Sequence, residues 1–380
     1  MTTTTIETPS AELPRLDGPF LVAALLGTAV LVVLVGLDGQ PASAALILLG
    51  FALGVAFLKV EFSFTAAWRR FLVSGEAGGL IGTLLLMAVA AIVIVPVAAL
   101  VPGFGGAIAP IGPSLLIGAF VFGIGMQLAN GCGSGTLYTA GGGSGRMLIT
   151  LALFIVGSVI GSLHLPAFLA LGGTDPILAS DYFGAWGGLA VTLASIAAVA
   201  FLIVAIARAR RAEYKPRTAI LIGGIVIGLL SISVFLAGHH PWSVTFGFTV
   251  WGAKLARAGF DFSGTEFWQW PGPKRALAES ILSDTSSLTD LGMILGAMAA
   301  AAATKPFART AWPPARSLAA AAIGGLLMGW GARIGFGCNI GAFVGGVASG
   351  SLHGWIWFAA ALGGCAIGIR LRPLFGLSRD

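Results

Sequence analysis

Apolar runs of roughly twenty residues alternate along the chain with short stretches that hold most of the Lys, Arg, Asp and Glu. A run of that length spans the hydrocarbon core of a bilayer as a helix. Hydropathy predicts ten spans, at 18–37, 41–60, 77–101, 113–130, 147–171, 184–207, 218–238, 288–304, 314–335 and 354–374. Residues 1–17, MTTTTIETPSAELPRLD, have no positive segment leading into an apolar core, so a disordered tail is expected rather than a cleaved signal.

Four segments break the pattern: AAWRRFLV, VWGAKLARAGF, GSGTLYTAGGGSG and NIGAFVGGVASG. They are too short and too polar to cross a bilayer, and the expectation is short re-entrant helices. Irregular backbone at that depth is tolerated where it is packed in protein or lines a wet cavity.

The segments belong to an internal repeat. GAFVFGIGMQLANGCGSG, starting at Gly118, returns 206 residues later as GGLLMGWGARIGFGCNIG, with Gly131 and Cys132 falling on Gly337 and Cys338. Phe62-Ser63-Phe64-Thr65 returns 184 residues later as Phe246-Gly247-Phe248-Thr249, and the extra loop GFDFSGTEFWQWPGPKRALAES accounts for the difference between the offsets. Each half reads span, FxFT, two spans, Gly-Cys break, span. With span six between two four-span halves, the second half is expected upside down, an arrangement that places sites at broken helices.

The fold class predicted is therefore an all-α membrane protein of about ten transmembrane helices in two inverted repeats with short re-entrant helices. Its predicted parts are the tail 1–17, an additional helix 18–40, a first repeat 41–183, a linking helix and basic loop 184–217, and a second repeat 218–380.

Charge orients these parts. Arg208, Arg210, Arg211, Lys215 and Arg217 lie between spans six and seven, and Lys305, Arg309 and Arg316 between eight and nine. The positive-inside rule puts these loops, and by counting both termini, in the cytoplasm. The external segment 239–287 carries mixed charge, and its Trp242, Trp251, Trp268 and Trp270 suggest an interfacial aromatic belt.

A 380-residue chain that is 57% hydrophobic and 9% charged excludes an ordinary soluble protein. The net charge of +6 is explained by membrane edges, so no nucleic-acid partner is expected. Three cysteines without CxxC exclude a disulfide framework and a zinc ribbon. No cofactor, resident metal or enzymatic activity is predicted, since no Cys-His pair and no soluble catalytic domain is present.

Cys132 and Cys338 are the leading candidates for substrate contact, because two thiols stand at equivalent irregular points of two related halves. Gly131, Gly133 and Gly337 give backbone access. Asn130, Ser134, Asn339, Gln127 and Thr136 either donate to an anion or satisfy backbone freed at the breaks. Cys365, whose counterpart is near Ser158, reads equally as packing. Arg333 reads as a snorkelling cation, and His164, His239, His240 and His353 as edge residues. Thiols suit a soft partner, which leaves a sulfur anion, a selenium compound or a soft metal open. A redox or sulfurtransferase protein carrying sulfur covalently on a cysteine and a neutral-solute channel are the rival readings.

The duplicated Gly-Cys breaks, duplicated FxFT segments and glycine-dense spans resemble the YeeE/YedE family of sulfur-transport-domain membrane proteins, over about residues 43–372. The resemblance implies a bacterial inner-membrane permease for thiosulfate or a related small sulfur-containing anion, with cysteines along a central path and room for a soluble cytoplasmic sulfur-carrier protein as partner. Cys132 and Cys338 match the family's two Gly-Cys cysteines. Its further cysteine, in an FC-type segment, is here Ser63, whose hydroxyl is harder and less polarisable than a thiol.

Overall fold

In the computed structural model, residues 16–37, 41–304 and 313–380 are described. Most of the expected tail, and the loop residues Lys305 and Arg309, lie outside the described residues. The described chain is all-helical, with two isolated bridges, Ile111 to Thr174 and Leu178 to Ser351, and no strand among the described residues.

The helices run in the order α1 (Gly18–Leu37), α2 (Pro41–Val60), α3 (Phe64–Val73), α4 (Gly78–Leu100), α5 (Pro113–Ala129), α6 (Gly133–Gly141), α7 (Gly145–Leu169), α8 (Ala179–Ala209), α9 (Thr218–Gly238), α10 (Thr245–Ala256), α11 (Pro271–Ala278), α12 (Thr285–Ala302), α13 (Ala315–Ile334), α14 (Gly345–Ala348) and α15 (Leu352–Leu371). A π-wound turn, Asn339–Val344, leads into α14.

Among the described residues nine helical stretches are long and apolar enough to span a membrane. The tenth expected span, 288–304, coincides with α12, which is not among the nine. Its first half, TSSLTDLG, is polar and nearly all buried. A helix enclosed by other helices does not need a lipid-compatible surface. By contrast α1 and α8 turn Leu25, Leu26, Val30, Phe201 and Leu202 outward, as a lipid-facing surface requires.

Contacts between the halves are reciprocal. α2 packs on α12 while α9 packs on α4; α7 packs on α13 while α15 packs on α5; α3 meets α15 while α10 meets α7. Two self-pairs, α5 with α13 and α2 with α9, close the centre. Glycine makes the α5–α13 approach possible: a Cβ on Gly331 would meet Phe122 N at 2.6 Å, and one on Gly125 would meet Gly324 O at 2.7 Å. Without a hydrophobic drive between helices in lipid, such close backbone packing is a main source of association.

Candidate functional site

Both long central helices stop at a left-handed residue. α5 ends on Asn130 (φ 62°), a residue type that tolerates this conformation, and Pro113 opens it at N1. α13 ends less comfortably: Gly335 is followed by Phe336 (φ 63°) and Gly337 (φ 149°). A bulky residue at positive φ is a strained element that the surrounding packing must hold.

After each break the chain turns extended and a cysteine caps the next short helix. Cys132 (φ −97°) is the N-cap of α6, its Sγ accepting from Gly135 N at 3.3 Å, with Ser134 Oγ at 3.5 Å. Cys338 (φ −102°) is the N-cap of the π-wound turn. Both thiols are free and essentially buried, at 2% and 0% exposure.

Gly133 joins the two breaks. A Cβ there would lie 3.0 Å from Cys338 Sγ and 3.4 Å from Thr245 Cγ2, so the residue beside Cys132 rests directly on Cys338. The expected pair is thus brought together where the N-termini of α6, α10 and the π-wound turn meet. Next to the two cysteines, Thr136 Oγ1 on α6 and both polar atoms of the Asn339 amide are buried without a hydrogen-bond partner. A buried polar group left unpaired is costly, and a cluster of them beside two thiols suits a small polar guest.

The other expected residues are placed differently. Asn130 is exposed and its Oδ1 accepts from Arg69 Nη1 at 2.7 Å and Arg372 Nη1 at 3.3 Å. Arg146 donates to Leu128 O at 2.7 Å and to Ala129 O, and Arg372 to Gln127 O at 2.7 Å. Three guanidinium groups therefore converge on the carbonyl end of α5, the negative end of its dipole, just ahead of Cys132. Their sequence separation hid this cluster.

Ser63 caps α3, accepting from Ala66 N at 3.2 Å, and lines a cavity of about 640 Å³ with Lys59, Glu61, Arg69, Arg70 and Tyr138. Tyr138 stands on α6, past Cys132, its ring stacked on Phe57 at 5.6 Å. The cavity thus abuts the helix that Cys132 caps.

Cys365 donates to Gly123 O at 3.4 Å, and Ser158 donates to Gly329 O at the same distance. These four residues are equivalent across the repeat, so the thiol has the packing partner that a hydroxyl has in the other half.

Three expectations need correction. Arg333 does not snorkel: its Nε and Nη1 are buried without partners, and the guanidinium lies over the rings of Phe246 (5.8 Å) and Phe267 (5.3 Å). The aromatic belt is largely internal, since Trp242 and Trp268 are buried, Trp268 Nε1 donates to Ser162 Oγ at 3.0 Å, and Trp251 Nε1 to Ser287 Oγ at 2.8 Å. The tryptophans sit on a long segment that folds back over the bundle, which hydropathy alone does not reveal. His353, at the start of α15, is buried and bonded to Ser351 Oγ at 2.8 Å. Among the described residues no group of three His, Cys, Asp or Glu converges as metal ligands.

A family profile described as Sulphur transport matches residues 59–367. The probable transporter YedE of Escherichia coli K12 is 34% identical over 155 residues, 40% of this chain and 37% of that protein. Its Salmonella typhimurium LT2 counterpart is 33% identical over the same length. The thiosulfate transporter TsuA of Spirochaeta thermophila is 27% identical over 262 residues, 63% of this chain and 72% of that protein. The chain therefore aligns with less than two fifths of the YedE relatives' length.

Proposed function

Since the chain belongs to the Sulphur transport family, we propose that it is a permease importing a small sulfur-containing anion, thiosulfate being the first choice, along a path that passes Cys132 and Cys338. The observation that carries this reading is the meeting of two buried thiols at Gly133, among polar side chains without partners. A terminal sulfur atom is soft and polarisable, as thiols are, and oxyanion oxygens accept from Thr136, Asn339 and the first N–H groups of α6. The N-termini of the short helices add positive dipole ends.

The hand-off is non-covalent, because conduction requires each station to bind weakly enough to release. By the positive-inside rule, the cavity beside Ser63 opens to the cytoplasm of a bacterial inner membrane, and both termini lie there. Arg69, Arg146 and Arg372 draw the anion toward that face, and a soluble sulfur-carrier protein receives it there. The domain plan is a first repeat at 41–183 and an inverted second repeat at 218–380, joined by 184–217.

The test is initial thiosulfate uptake by proteoliposomes of the purified protein. Cys132→Ala and Cys338→Ala should each lower uptake at least tenfold while the protein remains monodisperse in detergent. Wild-type uptake by both variants would exclude the two thiols from the path, and a stable sulfur adduct on a cysteine after exposure to thiosulfate would replace non-covalent passage with covalent carriage.

A further inference from the structure

Against the second FxFT segment stands a group that the proposed transport path does not use. Asp290 of α12 is fully buried, and neither carboxyl oxygen has a hydrogen-bond partner. It lies against the second FxFT segment, where a Cβ on Gly247 would come within 2.8 Å of its Oδ2; two residues earlier, Thr245 Cγ2 lies 3.4 Å from where a Cβ on Gly133 would stand, the position that also meets Cys338.

The fold does not need a carboxyl there. At the repeat offset of 206 residues α12 overlies α4, with Thr289, Leu291 and Met293 matching Thr83, Leu85 and Met87, and Asp290 falling on Leu84. Leu84 is buried at 4% exposure, and the reciprocal contacts of Gly50 with Thr289 and Gly224 with Gly82 pair Asp290 with the neighbouring Thr83, buried at 1%; neither first-half residue carries a carboxyl. An acidic side chain retained in a membrane interior without a structural partner points to a transported or transferred charge.

The groups around it supply no fixed cation. α6, which packs on α12, bears no Lys or Arg, and α1 bears no charge; α2 carries Lys59 in its last turn. On α10, Lys254 donates to Leu277 O and to Glu279 O. Asp284, six residues before Asp290, is satisfied by Ser287 N and Ser287 Oγ, both at 2.7 Å. An ionised Asp290 would stand unpaired in the membrane interior and would repel an anion passing through it, whereas the protonated carboxyl is neutral and can donate.

We propose that Asp290 is a proton-binding site coupled to anion import. It takes a proton from the outer face before the anion reaches Cys338 and releases it, as an ionised carboxylate, to the cytoplasmic face after the anion has left. One proton moves with each passage, no covalent bond to sulfur is made, and the carboxyl is neutral whenever the anion occupies the thiols. This rests on the transport function proposed above.

The test uses the full chain in proteoliposomes, with thiosulfate as the probe and a pH step, acid outside, imposed at constant membrane potential. A one-unit step biases a single coupled proton about tenfold, so initial uptake by the wild-type protein should rise several-fold and the rise should vanish with a protonophore. Asp290→Asn, and Asp290→Leu, which removes the carboxyl for an aliphatic side chain, should transport at a reduced rate with no response to the step. A response of wild-type size in either folded variant, or none in the wild-type protein, would overturn the proposal. Infrared difference spectra read the same carboxyl without transport: a protonated-carboxyl band present at neutral pH in the wild-type protein should be missing from Asp290→Asn. A fully ionised Asp290 at neutral pH would overturn the proton site whatever is transported, while absence of any thiosulfate uptake beside a normal band would overturn only the function.

Discussion

Replacing Gly133 by alanine inserts one methyl group between the two breaks. The new Cβ would sit 3.0 Å from Cys338 Sγ, 3.4 Å from Cys338 Cβ and 3.4 Å from Thr245 Cγ2. Non-bonded heavy atoms prefer about 3.5–4.0 Å, so Sγ must retreat by roughly half an ångström or turn. A side chain pushed off its rotamer costs about 0.5–1.5 kcal/mol. Gly133 is not among the residues at positive φ, so alanine fits its backbone and returns about 0.4–1 kcal/mol through the unfolded state. The fold should barely change in stability.

Transport should change far more. A displaced thiol loses its place against Gly133, the first residue of α6, and a hydrogen bond to a charged guest is worth about 1.5–3 kcal/mol, which corresponds to roughly a ten- to hundredfold loss. The assay is initial thiosulfate uptake in proteoliposomes at matched protein load, beside thermal unfolding in detergent. Gly264→Ala, whose Cβ meets nothing within 4 Å, is the control. Uptake by Gly133→Ala within twofold of wild type, with an unchanged midpoint, would refute the idea that the guest passes between these residues.

Two further outcomes are expected. Cys365→Ser should transport at near wild-type rate, because a hydroxyl can donate to Gly123 O as Ser158 does to Gly329 O; a tenfold loss in uptake kinetics would make this thiol part of the path. Ser63→Leu should fill part of the cavity that Ser63 lines and lower uptake at least tenfold while Ser63→Cys retains it, and unimpaired flux through Ser63→Leu would reduce the first FxFT segment to packing.

The repeat was legible because glycine and cysteine recur at one offset, and the short helices because their segments are too polar and too short to span. Both Gly-Cys breaks form at the expected residues, and Gly133 brings them together. What could not be read was tertiary. Arg69, Arg146 and Arg372 stand on three separate elements and meet only at the end of α5. Trp268 is folded inward onto Ser162 by a loop that has no periodic pattern. Asp290 is an acid inside an expected span, but its burial among α2, α10 and neighbouring helices is a property of packing. The left-handed Phe336 was hidden for another reason: residue type argues against that conformation, and only the surrounding packing imposes it.

The central claim is that a sulfur anion moves past Cys338 and then Cys132. The most direct measurement is the rate at which a membrane-impermeant thiol reagent labels each of them in variants that keep one cysteine, in sealed vesicles of both orientations, with and without thiosulfate. Because both side chains are buried, labelling reports transient opening of the path from the reagent's side. Reagent outside should label Cys338 faster than Cys132, inside-out vesicles should reverse the order, and thiosulfate should slow both. Equal labelling of the two from one face, or rates indifferent to thiosulfate, would contradict the account.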